Sequence, residues 1–271
     1  LLGEQARVPS SERSARERQI ADLLLGRLAT SAAALARGQA LGIGTGDEIV
    51  VGLLESNHAQ PNLNHAREIV ARALGPGPAG NLTVVDGTIG LLLPNLDVGE
   101  AKRALERALA HDISETTIAL SKPLPNVVHA PDGVREARFA LGLHKQGALK
   151  GRVINGALVD DLGLYEILYP LWGHPALSLF QSALLGELEA YDGQHKAELI
   201  KTLDAYLSAG GALSEAAALL GIHRNTLSYR LQRIGELTGR DLSQAQERLL
   251  LHVALMARRM PPAVQSSPAV P

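Results

Sequence analysis

The chain of 271 residues has no cysteine, two methionines and eight aromatic residues (two Phe, one Trp, five Tyr). Without cysteine there is no disulfide and no thiolate nucleophile or ligand, although this leaves the compartment open. No apolar run approaches the roughly 20 residues that span a bilayer, and no signal peptide is visible. A cytoplasmic protein with no membrane partner is therefore expected. The nine histidines are scattered, with no His-Glu-x-x-His pattern, so neither a metal nor another cofactor is expected. No Gly-x-Ser-x-Gly elbow occurs. Gly42-Ile43-Gly44-Thr45-Gly46 precedes a strand instead of following one, which excludes a dinucleotide loop or P-loop. Asp160 and Asp161 read as a solvated turn, and no catalytic residue stands out.

What is abundant is Ala and Leu, within an apolar fraction of 46%, so much of the chain should be helical. Residues 1–14 are polar and expected to be loose. Residues 15–40 read as two helices broken near Thr30-Ser31, closing an N-terminal helical segment (1–40). From 41 to 150 strand and helix signals alternate: a strand at Glu48–Glu55, a helix at Asn64–Ala73 and a strand at Asn81–Val85. Asp86-Gly87 is a hairpin turn leading to a partner strand, Thr88–Leu93. A helix at Gly99–Ala110, a strand near Glu115–Leu120 and a helix from Pro131-Asp132 to about Leu143 follow. The β-α-β-β-α-β order implies an α+β fold, a mixed sheet of ferredoxin-like type covered by helices. Residues 151–192 are Leu-rich and hold Tyr165, Tyr169, Trp172 and Phe180, which suits a helical bridge serving as an interdomain seam or a dimer interface. The Pro-rich end, 261–271, reads as a disordered tail.

The densest signal lies between Gly210 and Arg240, within an all-α domain expected at 193–260. Ser214 is a candidate N-cap for a short helix, Glu215–Leu220, whose Ala216 and Ala217 allow a second helix to cross closely. Gly221 supplies a turn, and a second helix runs from Arg224 to about Leu237. Leu227, Leu231 and Ile234 recur at i, i+4 and i+7 as one apolar stripe. Asn225, Tyr229 and Gln232 fall opposite, with Ser228 and Arg233 at the edges. This is helix-turn-helix logic, in which the first turn of the second helix meets base edges in the DNA major groove. Asn and Gln can bond adenine bidentately, Arg can do so with guanine, and hydroxyls suit phosphates. Gly221–Arg240 holds four Arg against one Glu, and 193–259 holds nine Lys/Arg against six Asp/Glu, whereas the whole chain is −2. So weakly basic a module argues for a dimer or larger homo-oligomer. Candidate DNA-binding residues are Ser214, His223, Arg224, Asn225, Thr226, Ser228, Tyr229, Arg230, Gln232 and Arg233.

The run from Leu199 to Leu242 resembles the C-terminal helix-turn-helix of PucR/CdaR-type bacterial transcriptional regulators. The matching residues are Thr202-Leu203, Tyr206-Leu207, Ala216-Ala217, His223-Arg224-Asn225-Thr226-Leu227 and Tyr229-Arg230-Leu231, preceded by Leu188–Asp192 (LEAYD). His223 looks characteristic of the family and could cap the helix, touch a phosphate or fill space. The stretch Val159–Tyr165 resembles the joint between the family's two domains. Residues 41–150 resemble its GGDEF-like domain, a relative of diguanylate cyclases. Aligned on Leu92-Leu93-Pro94, Val85-Asp86-Gly87-Thr88-Ile89 stands where a working cyclase has Gly-Gly-Asp-Glu-Phe. Gly87 and Thr88 replace the two acids that hold Mg²⁺, so the resemblance implies a degenerate domain without cyclase chemistry. Thr45-Gly46-Asp47-Glu48-Ile49 imitates the motif by letters but precedes the first strand and reads as a turn.

The resemblance implies a DNA-binding regulator of a catabolic operon, a homodimer on double-stranded DNA, with a small-molecule effector possible. Two other classes remain open: a nucleotide-binding sensor or enzyme built on the GGDEF-like domain, and a protein-interaction module. Because the chain opens on Leu1 and not Met, it is expected to be a fragment of a longer protein.

Overall fold

The computed structural model describes residues 10–56, 60–110, 112, 115–156 and 162–262. These fall into two compact units, one ending at Ile167 and the other starting at Leu168.

The first unit is built on a five-stranded sheet of order β2-β3-β1-β4-β5: β1 (Ile49–Glu55), β2 (Leu82–Val85), β3 (Thr88–Pro94), β4 (Thr117–Leu120) and β5 (Val153–Asn155). β1 lies at the centre, antiparallel to β3 with Gly52 opposite Leu91, and antiparallel to β4 with Gly52 opposite Leu120. All of β1 except Glu55 is buried, as expected of a strand covered on both faces. On one face Val50, Leu54, Leu91 and Leu120 join Ile69 of α3 (Leu63–Leu74) and Leu105 of α5 (Val98–Leu109) in one core. α6 (Ala130–Lys145) and α1 (Ser10–Leu24) also pack on the sheet. Local chemistry fixes the helix starts: Asn62 accepts from the His65 N–H at 3.1 Å, and Asp97 from the Glu100 N–H at 2.7 Å.

The first four strands reproduce the expected β-α-β-β-α-β order, with a one-turn helix, α4 (Pro76–Ala79), inserted before β2. The fifth strand, parallel to β4, was not legible: three residues are too few to show alternation. α1 begins at Ser10, so residues 10–14, expected to be loose, are helical; α2 (Ser31–Ala40) begins after Thr30, which accepts from the Ala33 N–H at 3.2 Å. Residues 1–9 lie outside the described residues, as do Val159, Asp160 and Asp161 of the joint Val159–Tyr165.

The segment expected as one bridge, 151–192, is divided between the units. Its first part carries β5 and most of α7 (Leu164–Leu168), while α8 (Pro175–His195) supplies Leu184, Leu185 and Leu188 to the core of the second unit. There they meet Leu203 of α9 (Leu199–Ser208), Ile234 of α11 (Arg224–Thr238) and Leu251 and Leu255 of α12 (Ala245–Arg259). α10 (Leu213–Leu220) adds a satellite cluster of Ala216 and Ala217 with Leu227. Within the segment expected as a tail, Pro261 is held: buried Trp172 donates from Nε1 to its carbonyl at 2.8 Å. Residues 263–271 are outside the described part.

Candidate nucleic-acid interface

α10 and α11 are joined by Gly221-Ile222-His223. Gly221 sits at φ 64°, a left-handed conformation that a β-carbon would strain. This lets the Gly221 N–H reach the Ala218 carbonyl at 3.2 Å and the Ile222 N–H reach that of Ala217 at 3.1 Å, the double bond that closes a Schellman turn. Ile222 then folds against the Ala216–Ala217–Leu227 cluster. His223 caps the next helix: its Nδ1 accepts from the Asn225 N–H at 3.2 Å. Of the roles open to His223, capping is therefore seen directly. It also fixes the tautomer, leaving the ring proton on Nε2.

One expectation is corrected. Ser214 is not a cap; the N-cap is Ala212, which makes no side-chain bond. Gly210 (φ 62°) and Gly211 (φ 88°) turn the chain early, and the Ala212 carbonyl already accepts from Ala216 N–H at 3.0 Å. Ser214 is thus the second helical residue and is exposed.

α11 buries Leu227 and Ile234 fully and Leu231 in part, as its periodicity requires. Its other side chains divide by position. Arg224, Asn225, Thr226, Ser228 and Tyr229, in the first two turns, are exposed, Tyr229 by 69%, and have no side-chain partner among the described residues. Further along, partners appear. Arg230 donates to Thr202 Oγ1 at 3.2 Å and pairs with Glu198 at 3.5 Å. Gln232 and Arg233 both donate to Glu236, each at 3.0 Å, and the Arg233 guanidinium lies 4.8 Å above the Tyr191 ring. Tyr191 in turn stacks on His195 at 4.1 Å. The hydrogen bond from Arg233 holds the Glu236 carboxyl below its ordinary range, with Gln232 helping. Lys201 does most of the same for Glu198, assisted by Arg230.

Two residues absent from the expected set hold this arrangement. Asp192 accepts from the Leu199 N–H at 2.7 Å and the Ile200 N–H at 2.9 Å, capping α9 from seven residues upstream. Tyr191 reaches across from α8 to Arg233. The Leu188–Asp192 run is the only sequence signal that pointed to either.

In the first unit the hairpin at the cyclase position is closed on itself. Asp86 (φ 47°) and Gly87 (φ 80°) form a turn of primed type, suited to the strand twist. Thr88 is buried and donates to the Val85 carbonyl at 2.9 Å, while Asp86 is held by Arg138 at 2.9 Å. The imitation motif is indeed a turn: Asp47 accepts from the Gly44 N–H at 2.6 Å, and hydrogen bonds from Asn95 and Gly44 hold its carboxyl below the ordinary range. Beside the hairpin opens a cleft of about 880 Å³ lined in part by Asn62, His65, Gly87, Lys145 and Arg152. Near it, buried Asp112 binds Arg152 at 2.5 Å, His65 at 2.9 Å and the Thr116 N–H at 3.1 Å, a cluster that sequence reading missed.

A ferredoxin-like sheet unit and a helical unit in which a tight turn joins α10 to α11 define a two-domain helix-turn-helix chain. Residues 199–257 match the PucR C-terminal helix-turn-helix domain, and residues 25–143 match the GGDEF-like domain. The chain therefore carries the domain pair of PucR/CdaR-type transcriptional regulators. It is similar to the DNA-binding transcriptional activator AdeR of Bacillus subtilis, 31% identical over 101 residues (37% of this chain, 24% of that one). It is similar also to the purine catabolism regulatory protein of the same organism, 36% identical over 144 residues (53% and 26%). The carbohydrate diacid regulator of Escherichia coli is 51% identical over 57 residues (21% and 15%). The matched stretches span about a quarter or less of these relatives.

Proposed function

We propose that this chain is the DNA-binding part of a transcriptional regulator, and that the first two turns of α11 read the operator. The observation that carries the reading is the set of five polar side chains, Arg224, Asn225, Thr226, Ser228 and Tyr229, exposed and without side-chain partners among the described residues at the start of the second helix of the motif. Unpartnered amide and guanidinium groups in that position suit adenine and guanine edges, and the hydroxyls and His223 Nε2–H suit phosphates. Arg230, Gln232 and Arg233, tied within the unit, serve instead to set the helix. The relatives' printed roles support control of a catabolic operon, and a protein that reads DNA would work in the cytoplasm. Two copies about one helical turn apart, ~34 Å, would read a pseudo-palindrome. The degenerate hairpin supports a GGDEF-like domain that relays or assembles without turning over a nucleotide.

The test is fluorescence anisotropy with DNA flanking the gene, a scrambled competitor and a salt titration. The reading expects preference for the flanking DNA and an affinity that falls steeply with salt. Binding neither DNA at low salt would favour the interaction-module reading.

A further inference from the structure

We propose that α1, α2 and the turn between them form a binding pocket for a small anion bearing carboxylate or phosphate groups. On α1, Ala15, Arg18, Gln19 and Asp22 recur at i, i+3, i+4 and i+7 and so share one face. They line a pocket of about 400 Å³ together with Arg27 and Arg37. Three arginines thus line one concavity, with Asp22 as the one acidic residue of its lining.

That carboxylate is already committed. Asp22 accepts from Arg37 at 3.1 Å. Arg18 and Arg27 are exposed and have no side-chain partner among the described residues. Like charges brought to one site repel, and a concave wall of low dielectric strengthens the repulsion. An anion removes that cost, and planar forked guanidinium groups match carboxylate and phosphate oxygens in pairs.

The backbone fixes Arg27 in place. α1 ends in a Schellman turn: the Gly26 N–H bonds the Leu23 carbonyl at 3.2 Å and the Arg27 N–H bonds that of Asp22 at 2.9 Å. Gly26 stands at φ 63°, and a β-carbon there would lie 3.1 Å from Pro131 Cγ. The chain is therefore folded back so that Arg27 follows directly on the turn of α1 that carries Asp22. The same two bonds occupy the Asp22 and Leu23 carbonyls, acceptors that would otherwise compete for the guanidinium groups. Arg37 sits in the last turn of α2, where Asp22 orients it.

The test is isothermal titration calorimetry of the whole chain with inorganic phosphate and, separately, malonate at constant ionic strength. Saturable binding of one anion per chain is expected for at least one probe, and the stronger of the two tells phosphate from carboxylate. Arg27→Gln should weaken it at least about tenfold, and Arg18→Gln with Arg27→Gln should abolish it. Arg103→Gln, an exposed arginine elsewhere on the first unit, should leave it unchanged. Melting of the double variant without anion should match or exceed that of the parent, because a repulsion has been removed; this separates lost binding from lost folding. No saturable heat with either probe, or full binding by the double variant, would overturn the proposal. Neither result depends on DNA binding.

Discussion

The Asp86-Gly87 hairpin and the Gly221–His223 turn are both tight turns beside polar side chains, and they treat those side chains in opposite ways. At the hairpin every polar group with a described role turns to the protein: Asp86 to Arg138, Thr88 to the Val85 carbonyl. After the helical turn, the side chains of Arg224, Asn225, Thr226, Ser228 and Tyr229 have no partner among the described residues, while His223 turns inward to cap the helix. The same contrast runs along α11 itself, whose first two turns are open and whose next two are tied to Glu198, Thr202, Tyr191 and Glu236. Where a fold satisfies its own polar groups it builds a scaffold. Where it leaves them, it leaves them for something else.

The largest expected effect breaks both halves of α11 together. Leu227 is fully buried against Ala216 and Ala217, so Leu227→Ala should cost about 2–5 kcal/mol of stability in urea denaturation and take DNA binding with it. Asn225→Ala should separate the halves: thermal melting unchanged, but operator discrimination reduced by about 1–3 kcal/mol in competition anisotropy. Arg230→Ala should do the converse, lowering stability by about 1 kcal/mol through loss of Thr202 and Glu198 while base preference is retained. Acid should loosen the tied half alone. The Glu198 and Glu236 carboxyls are both held below their ordinary 4.5, so their bonds to Arg230 and Arg233 are intact above that pH and are lost as pH falls through the lower folded values. The nuclear magnetic resonance signals of the Arg230 and Arg233 side chains should move in that window and those of Arg224 should not. The smallest effect belongs to the hairpin. Asp86→Asn removes a partly exposed ion pair while keeping a side chain suited to the left-handed turn, and should change stability by no more than about 0.5 kcal/mol, with DNA affinity unaltered.

Much of this was legible in the sequence because it depends on local rules. Alternating and 3.6-residue patterns placed four strands and most helices, Asp86-Gly87 announced its hairpin, and Gly221 followed by the Leu227–Ile234 stripe announced the motif. One miss is local and the others are long-range. Ser214 has the right chemistry for a cap, but two left-handed glycines begin the helix before it. The ties of Arg230 to Thr202 and of Arg233 to Tyr191 depend on partners 28 and 42 residues away, which no pattern within α11 reveals. Asp112, Arg152 and His65 likewise meet only through the folded sheet and helices, and α8 joins the second unit by packing that its own sequence does not specify. Local chemistry reads out of sequence; long-range pairing of charges does not.

The central claim is that the bare half of α11 reads bases and the tied half does not. The direct measurement is the ratio of affinities for the preferred site and for scrambled DNA, compared between the parent chain, Asn225→Ala and Gln232→Ala. The account predicts that the ratio collapses for Asn225→Ala and survives for Gln232→Ala. A ratio that survives Asn225→Ala and collapses with Gln232→Ala would contradict it.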